Sequence, residues 1–305
     1  MRNSYFNKNS ELTNSYYYRN LDVKNSYFDK GDSKIKIIII YAILILACFI
    51  ALYPILNIIT ISLRPADKLL STSLKIIPDN GSFDNFIKAI KKPEFLTWIK
   101  NSLIVSLFST VCALTISVMG AYAFSRHKFR GKKMGLNLLL LSQMFPAPMI
   151  MLPLYILMTK MQLTDKYAGI IIVYIASAIP FNVWLMKGYF DTIDKSLEES
   201  AYVDGANLLT AFYKIILPVA KPGIAVAALF AFMGAWSEYI IARVLLATED
   251  MYTLPMGLVS MQGDFTTQWG VYSAIALITA IPAMLVFILC SKYLVGGMTA
   301  GSVKG

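Results

Sequence analysis

Few side chains in this sequence stand where they could do chemistry. Glu238 is the one acid well inside an apolar run, with Arg243 five residues on. An ionisable group in hydrocarbon is expensive and is kept for a use or a partner, so Glu238 is a candidate for lining a polar path or for titrating in a proton-driven carrier. Gln143 and Pro146 stand together in a second apolar run. There a proline breaks the backbone ladder and a polar side chain lies beside the gap. Glu199, Ser200 and Ala201, then Asp204, Gly205 and Ala206, then Leu217 and Pro218, belong to a polar, patterned stretch that looks built for docking. His127 is the single histidine, and Cys48, Cys112 and Cys290 lie in apolar runs, so no metal site is expected. The phosphate-cradling pattern GxxxxGK[ST] is absent, so ATP and magnesium, if used, belong to a partner and no cofactor is expected on this chain. No catalytic constellation stands out among the few intramembrane polar residues, which argues against an enzyme.

The elements that must position these residues are membrane spans. Of 305 residues, 57% are hydrophobic and 15% charged, against about 45–50% and about 25% in a soluble domain. Six runs reach the roughly 20 apolar residues a helix needs to cross a bilayer: 37–63, 103–124, 136–158, 167–189, 223–247 and 271–295. The expected fold is an all-α membrane protein of six transmembrane helices. Pro54, Pro146, Pro148, Pro153, Pro180 and Pro282 fall within these runs and predict bends or breaks. Lys100, Arg126, Lys160, Lys166 and Lys187 mark span ends, where a long stem can snorkel to the interface.

Six spans put both termini on one side. With that side cytoplasmic, inside segments hold 18 Lys and Arg and outside segments 10. Residues 126–133 carry five positive charges, whereas 248–269 carry none. Positive loops stay inside, so both termini are expected in the cytoplasm of a cell membrane. The net charge of +10 thus marks topology and requires no nucleic acid. The organisation expected is a polar cytoplasmic tail over 1–36, a six-span domain over 37–295 containing a cytoplasmic loop at 191–221, and a short cytoplasmic tail over 296–305.

That loop is too polar to span and too patterned for a linker. A first helix fits from about Ser196 to Val203, with Ser196 and Glu199 at capping-box spacing. Asp204 and Gly205 break it, since glycine accepts the left-handed conformation that ends a helix. Asn207 can cap a second helix through about Ile216, and Pro218 and Pro222 lead into the fifth span. Leu208, Phe212, Ile215 and Ile216 share one face, which suits either the membrane surface or the bundle. A helix–Gly–helix knob of this kind can fill a groove on a partner.

Glu199, Ser200 and Ala201, then Gly205, then Ile215, Leu217 and Pro218 reproduce the spacing E-A-A, three residues, G, nine residues, I-x-L-P. This resembles the EAA motif of ABC importer membrane subunits, with Ser200 replacing the second alanine. Gln143 to Ala147, Lys187 to Phe190 and the ending Thr299, Ala300, Gly301, Ser302, Val303, Lys304, Gly305 are similar to the smaller membrane subunit of the maltose/maltodextrin permease branch. The resemblance covers residues 37–305 and leaves out the N-terminal tail.

The resemblance implies a type I ABC importer fold and a permease that couples ATP hydrolysis elsewhere to sugar uptake, with malto-oligosaccharides as substrate. Its implied partners are a second permease subunit in a heterodimer, two copies of a cytoplasmic ATPase, an extracytoplasmic sugar-binding protein and the lipid bilayer. Glu199, Ser200, Ala201, Asp204, Gly205, Ala206, Leu217 and Pro218 would serve ATPase coupling. Residues 299–305 would reach the ATPase interface, and the loop 248–269 would meet the binding protein. Gln143, Pro146 and Glu238 are the candidates for the translocation path, on which Tyr174, Trp184 and Trp236 could stack against sugar rings. The alternatives are a proton-coupled carrier using Glu238 and an importer subunit for a different oligosaccharide.

Overall fold

A computed structural model describes residues 34–65, 78, 80–263 and 267–300, and every regular element among them is helical. The expected tail over 1–33 and the ending Gly301 to Gly305 lie outside the described residues. The chain divides into two units, 1–57 and 58–305. Helix α1, Lys34–Leu63, supplies the described part of the first unit. It is apolar all round, and its large side chains from Ile37 to Ile55 are exposed. A helix with no polar face belongs in lipid or against another apolar surface.

The second unit is organised on one long helix. In chain order it holds α2 (Asp84–Lys91), α3 (Pro93–Arg126), α4 (Lys132–Ser142), α5 (Ala147–Lys160), α6 (Tyr167–Thr192), α7 (Ser196–Val203), α8 (Leu208–Ala211), α9 (Leu217–Val219), α10 (Lys221–Trp236), α11 (Ile240–Leu245), α12 (Leu254–Ser260) and α13 (Trp269–Ala300). Helix α3 packs along α6, and also on α10 and α12. The sequence explains this central place. Ser102, Ser106, Ser109, Ala113, Ser117 and Ala121 recur at three- and four-residue steps and are all buried. Small residues on one stripe let helix backbones approach closely where lipid supplies no hydrophobic drive between helices.

Among the described residues, four helices, α1, α3, α6 and α13, are long and apolar enough to cross a bilayer as single rods. The third and fifth expected spans are each made of two helices. The third is α4 plus α5, interrupted at 143–146, where Pro146 precedes α5 and Pro148 sits in its first turn. A proline there forfeits no hydrogen bond, because the first helical N–H groups have no partner anyway. The fifth is α10 plus α11, interrupted at 237–239, so the expectation of one helix over 223–247 is corrected. Pro54, Pro153, Pro180 and Pro282 lie inside unbroken helices. Helix α13 continues to Ala300, which puts Thr299 and Ala300 in its last turn rather than in a tail.

One apolar cluster, including Val118, Tyr122, Met186, Phe190, Phe212 and Ile216, gathers where α3 and α6 end. A second, including Phe95, Trp98, Phe232, Trp236 and Ile275, gathers where α3 begins. There Gly257 of α12 lies so close to Trp98 that an added Cβ would collide with its ring.

Candidate functional site

The segment between α6 and α10 folds as an elbow. Helix α7 ends on Asp204, and Gly205 takes a φ of +83°. The Ala206 N–H donates to Ala201 O at 2.9 Å and the Gly205 N–H to Tyr202 O at 3.0 Å. These two bonds make a Schellman motif, with Ala201 and Ala206 at its paired apolar positions. The motif's small residues therefore close a helix end. The Asn207 side chain accepts the Thr210 N–H at 2.8 Å and starts the second arm. That arm runs through a π-helical turn, Phe212–Ile216, and meets α10 at 76°. Phe212 and Ile216 are buried against the α3–α6 cluster, whereas Leu208 of the same expected face is exposed, so only the later part of the arm's apolar face turns to the bundle. The expected capping box does not form. Lys195 occupies the cap position, and Asp194 Oδ1 accepts the Ser196 N–H at 3.0 Å instead.

Glu199, Ser200, Asp204 and Gly205 are exposed, as is Val203, and form one free face of the elbow. Ala201 is buried, Ala206 half-buried, Leu217 half-buried on the apolar cluster, and Pro218 exposed. Leu217 thus positions the elbow rather than contributing to its free face. Sequence reasoning passed over Glu198, which is buried. Its Oε1 lies 2.6 Å from Arg126 Nε, and its Oε2 accepts the Tyr122 hydroxyl at 3.2 Å. Both side chains of the ion pair are under a tenth exposed. Arg126 therefore turns into the protein instead of snorkelling outward. Removing one partner of such a buried pair costs about 3–5 kcal/mol, since a charge is left uncompensated.

A cavity of about 210 Å³ lies between α6 and α10, lined by Tyr174, Ser177, Phe181, Asn182, Phe230 and Glu238 among others. Phe181 and Phe230 meet edge to face at 5.2 Å between ring centres. Asn182 is buried, and its Nδ2 and Oδ1 have no hydrogen-bond partner. Leaving an amide atom unpaired in the interior costs about 1–3 kcal/mol, so such a group asks for an explanation. Glu238 Oε2 accepts from the Tyr174 hydroxyl at 2.7 Å and from the Ala242 N–H at 3.0 Å, and Oε1 from the Ile241 N–H at 2.8 Å. The carboxylate caps α11 and so stabilises the break in the fifth span. These bonds engage Glu238 with Tyr174 and the start of α11, while Arg243 is exposed. Gln143 reaches α6 through the Ser177 carbonyl at 3.3 Å, whereas Pro146 is not among the lining residues. Trp184 and Trp236 donate their indole N–H groups to the carbonyls of Leu136 and Thr279. They are packing residues, and of the three aromatics weighed as stackers only Tyr174 faces the cavity.

At the opposite end from the elbow, two side chains pin the segment after α11. Asn101 donates to the carbonyls of Asp250 and Tyr252, both at 2.8 Å, and accepts the Tyr167 hydroxyl at 2.6 Å. Asp165 Oδ1 accepts the N–H groups of Ala247 and Thr248 and the Thr248 hydroxyl. Desolvation raises the Asp165 carboxyl, but those three donors outweigh it and hold the group below its ordinary value. Neither tether has a sequence signal beyond a polar residue at a span end.

Comparison with known proteins agrees with this architecture. Residues 113–298 match the family described as binding-protein-dependent transport system inner membrane component. The galactooligosaccharides transport system permease protein GanQ of Bacillus subtilis is 36% identical, with 89% of this chain and 96% of that protein aligned. The maltose/maltodextrin transport system permease protein MalG of Yersinia pestis is 36% identical, over 86% of this chain and 92% of that one. A crystallised bacterial ABC transporter involved in the import of the acidic polysaccharide alginate contains a chain with a TM-score of 0.74 and 28% identity, covering 85% of this chain and 96% of that one. The helical order, the broken spans and the closed elbow are thus those of a multi-pass membrane protein, and the chain belongs to the binding-protein-dependent transport system inner membrane components.

Proposed function

We propose that this chain is a permease subunit of an ATP-driven oligosaccharide importer, with maltodextrins as its first candidate substrate. It pairs with a second permease subunit, and its elbow docks on one of two copies of a cytoplasmic ATPase. Both termini and the elbow face the cytoplasm, and the pinned loop after α11 faces an extracytoplasmic sugar-binding protein. The observation that carries the reading is the elbow itself. A Schellman-closed turn exposes Glu199, Ser200 and Gly205 on one face while Ala201 and Glu198 hold the other to the membrane helices. Family membership and relatives named for maltose/maltodextrin and galactooligosaccharide transport support the same reading.

The α6–α10 cavity is the candidate sugar contact of this subunit. A sugar offers hydroxyls that need planar amide and carboxylate partners, and apolar ring faces that suit Phe181 and Phe230. The unpaired Asn182 amide would find its partners there when α6 and α10 separate during transport. Residues 299–305 would meet the ATPase pair, as the resemblance to maltodextrin permeases implies. The proton-carrier alternative is disfavoured because the Glu238 oxygens are engaged as acceptors that cap a helix. Uptake of a panel of radiolabelled maltodextrins, galacto-oligosaccharides and alginate oligomers by the reconstituted complex tests the reading. ATP-dependent uptake of neutral oligosaccharides supports it. Uptake that persists without ATP and collapses with the proton gradient contradicts it.

A further inference from the structure

We propose that Arg126 is a positioning residue that makes the elbow and the inner ends of α3 and α6 move as one body. This rests on the docking role proposed above for the elbow. Arg126 reaches three elements at once. It stands in the last turn of α3, donates through a terminal nitrogen to the Ile193 carbonyl at the end of α6 at 2.9 Å, and grips Glu198 of α7 through Nε at 2.6 Å. Tyr122 lies one turn back on α3. Its hydroxyl takes the other Glu198 oxygen, and its ring packs 4.6 Å from Phe212 and 5.7 Å from Phe190, centre to centre. Arg126 and Tyr122 therefore hold both arms of the elbow. The two adjacent glutamates divide the labour: Glu199 faces outward, and Glu198 is the internal anchor. A guanidinium suits the anchor because its fixed fork serves a carboxylate and a carbonyl together, which a lysine ammonium does not do with the same geometry.

The step this grip serves is mechanical. A force applied to the exposed face of α7 can tilt the membrane helices only through contacts that do not slip. Coupling between sites needs an element that both sites bias. The buried pair fills that role, being shielded from solvent and held by three hydrogen bonds.

The test uses the assembled transporter in proteoliposomes, in a chain whose Cys48, Cys112 and Cys290 are replaced by serine, with spin labels introduced by Val203→Cys and Lys128→Cys. Both positions are exposed. In the otherwise wild-type complex the distance between labels stays fixed when ATP is added and hydrolysis is blocked. With Glu198→Gln or Arg126→Lys it broadens or shifts with nucleotide. A wild-type distance that itself changes with nucleotide overturns the proposal. Radiolabelled maltotriose uptake per ATP hydrolysed gives the second measurement. It falls at least about five-fold in Glu198→Gln, the low end of ordinary coupling factors, and the exchanged pair Arg126→Glu with Glu198→Arg recovers part of the loss. Uptake and hydrolysis that fall together, in proportion to the amount of complex assembled, mark a purely structural pair and overturn it. If the wild-type chain recovers no ATPase on purification, the docking reading fails instead.

Discussion

Replacing Gly205 tests whether backbone conformation or crowding accounts for the glycine at the elbow. Its φ is +83°, and a Cβ built there would meet nothing within 4 Å. The cost of a side chain is therefore conformational. An L-residue in the left-handed region loses about 1–2 kcal/mol. Removing glycine also restricts the unfolded segment, which returns about 0.4–1 kcal/mol. The net for Gly205→Ala is about 0.8 kcal/mol at the centre of these ranges, or roughly 4-fold in an opening equilibrium, with an upper bound of about 1.6 kcal/mol. The amides that report it are those of residues 205 and 206, which close the turn onto Tyr202 and Ala201. Hydrogen exchange on the purified subunit, corrected for intrinsic rates, should accelerate in the order Gly205→Asn, then Gly205→Ala, then Gly205→Val. Asparagine tolerates positive φ and a β-branched residue does not. Side-chain size would instead place asparagine after alanine. An order that follows size, or no acceleration at all, refutes the conformational argument. In the assembled transporter the same series measures the partner's socket, because uptake that follows size while exchange follows φ places a wall beside Gly205.

Other consequences can be checked separately. Gly257→Ala forces a methyl group into Trp98 and should cost about 1–3 kcal/mol as an overpacked contact, read as a lowered Tm in detergent; an unchanged Tm would show the contact is loose. Asn101→Ala leaves two carbonyls and the Tyr167 hydroxyl without their partner, a loss of about 1–3 kcal/mol, and should speed limited proteolysis in 248–263 while leaving the elbow's protection unaltered. The Asp165 carboxyl is depressed, so its tether is fully present above the ordinary value of 3.8 and is lost only as pH falls through the lower folded value. Amide protection at Ala247 and Thr248 should persist down to that range, and Asp165→Asn should weaken it at every pH. Glu238→Gln weakens both the cap of α11 and a candidate sugar contact, so uptake should fall, but the uptake that remains should still require ATP and stay independent of the proton gradient; uptake restored by altered external pH would revive the carrier reading.

The elbow was legible because its determinants are local. Helix bounds at Ser196 and Val203, the break at Gly205 and the cap at Asn207 depend on residues within a few positions of one another. The small-residue stripe on α3 is also periodic in the sequence, although hydropathy registers it only as part of a span. What escaped depends on partners far along the chain. Glu198 and Glu199 are indistinguishable until Arg126, 72 residues away, selects one of them. Spacing alone suggested a capping box at Ser196, but Asp194 stood two residues upstream and took the N–H first. The break in the third span was announced by Pro146 and Pro148. The break at 237–239 carried no proline or glycine, and only the Glu238 carboxylate accepting the first N–H groups of α11 explains it. Span counting by hydropathy cannot see such a break, because capped helix ends stay apolar on average.

The proposed mechanism requires the exposed face of α7 to be held by a separate ATPase on the cytoplasmic side. The most direct measurement is disulfide or short-linker crosslinking from Ser200→Cys, in a chain whose Cys48, Cys112 and Cys290 are replaced by serine. A crosslink to the ATPase should form in inverted vesicles and change in yield with ATP. Labelling of that cysteine by an impermeant thiol reagent added outside intact cells, with no ATPase crosslink, would contradict it.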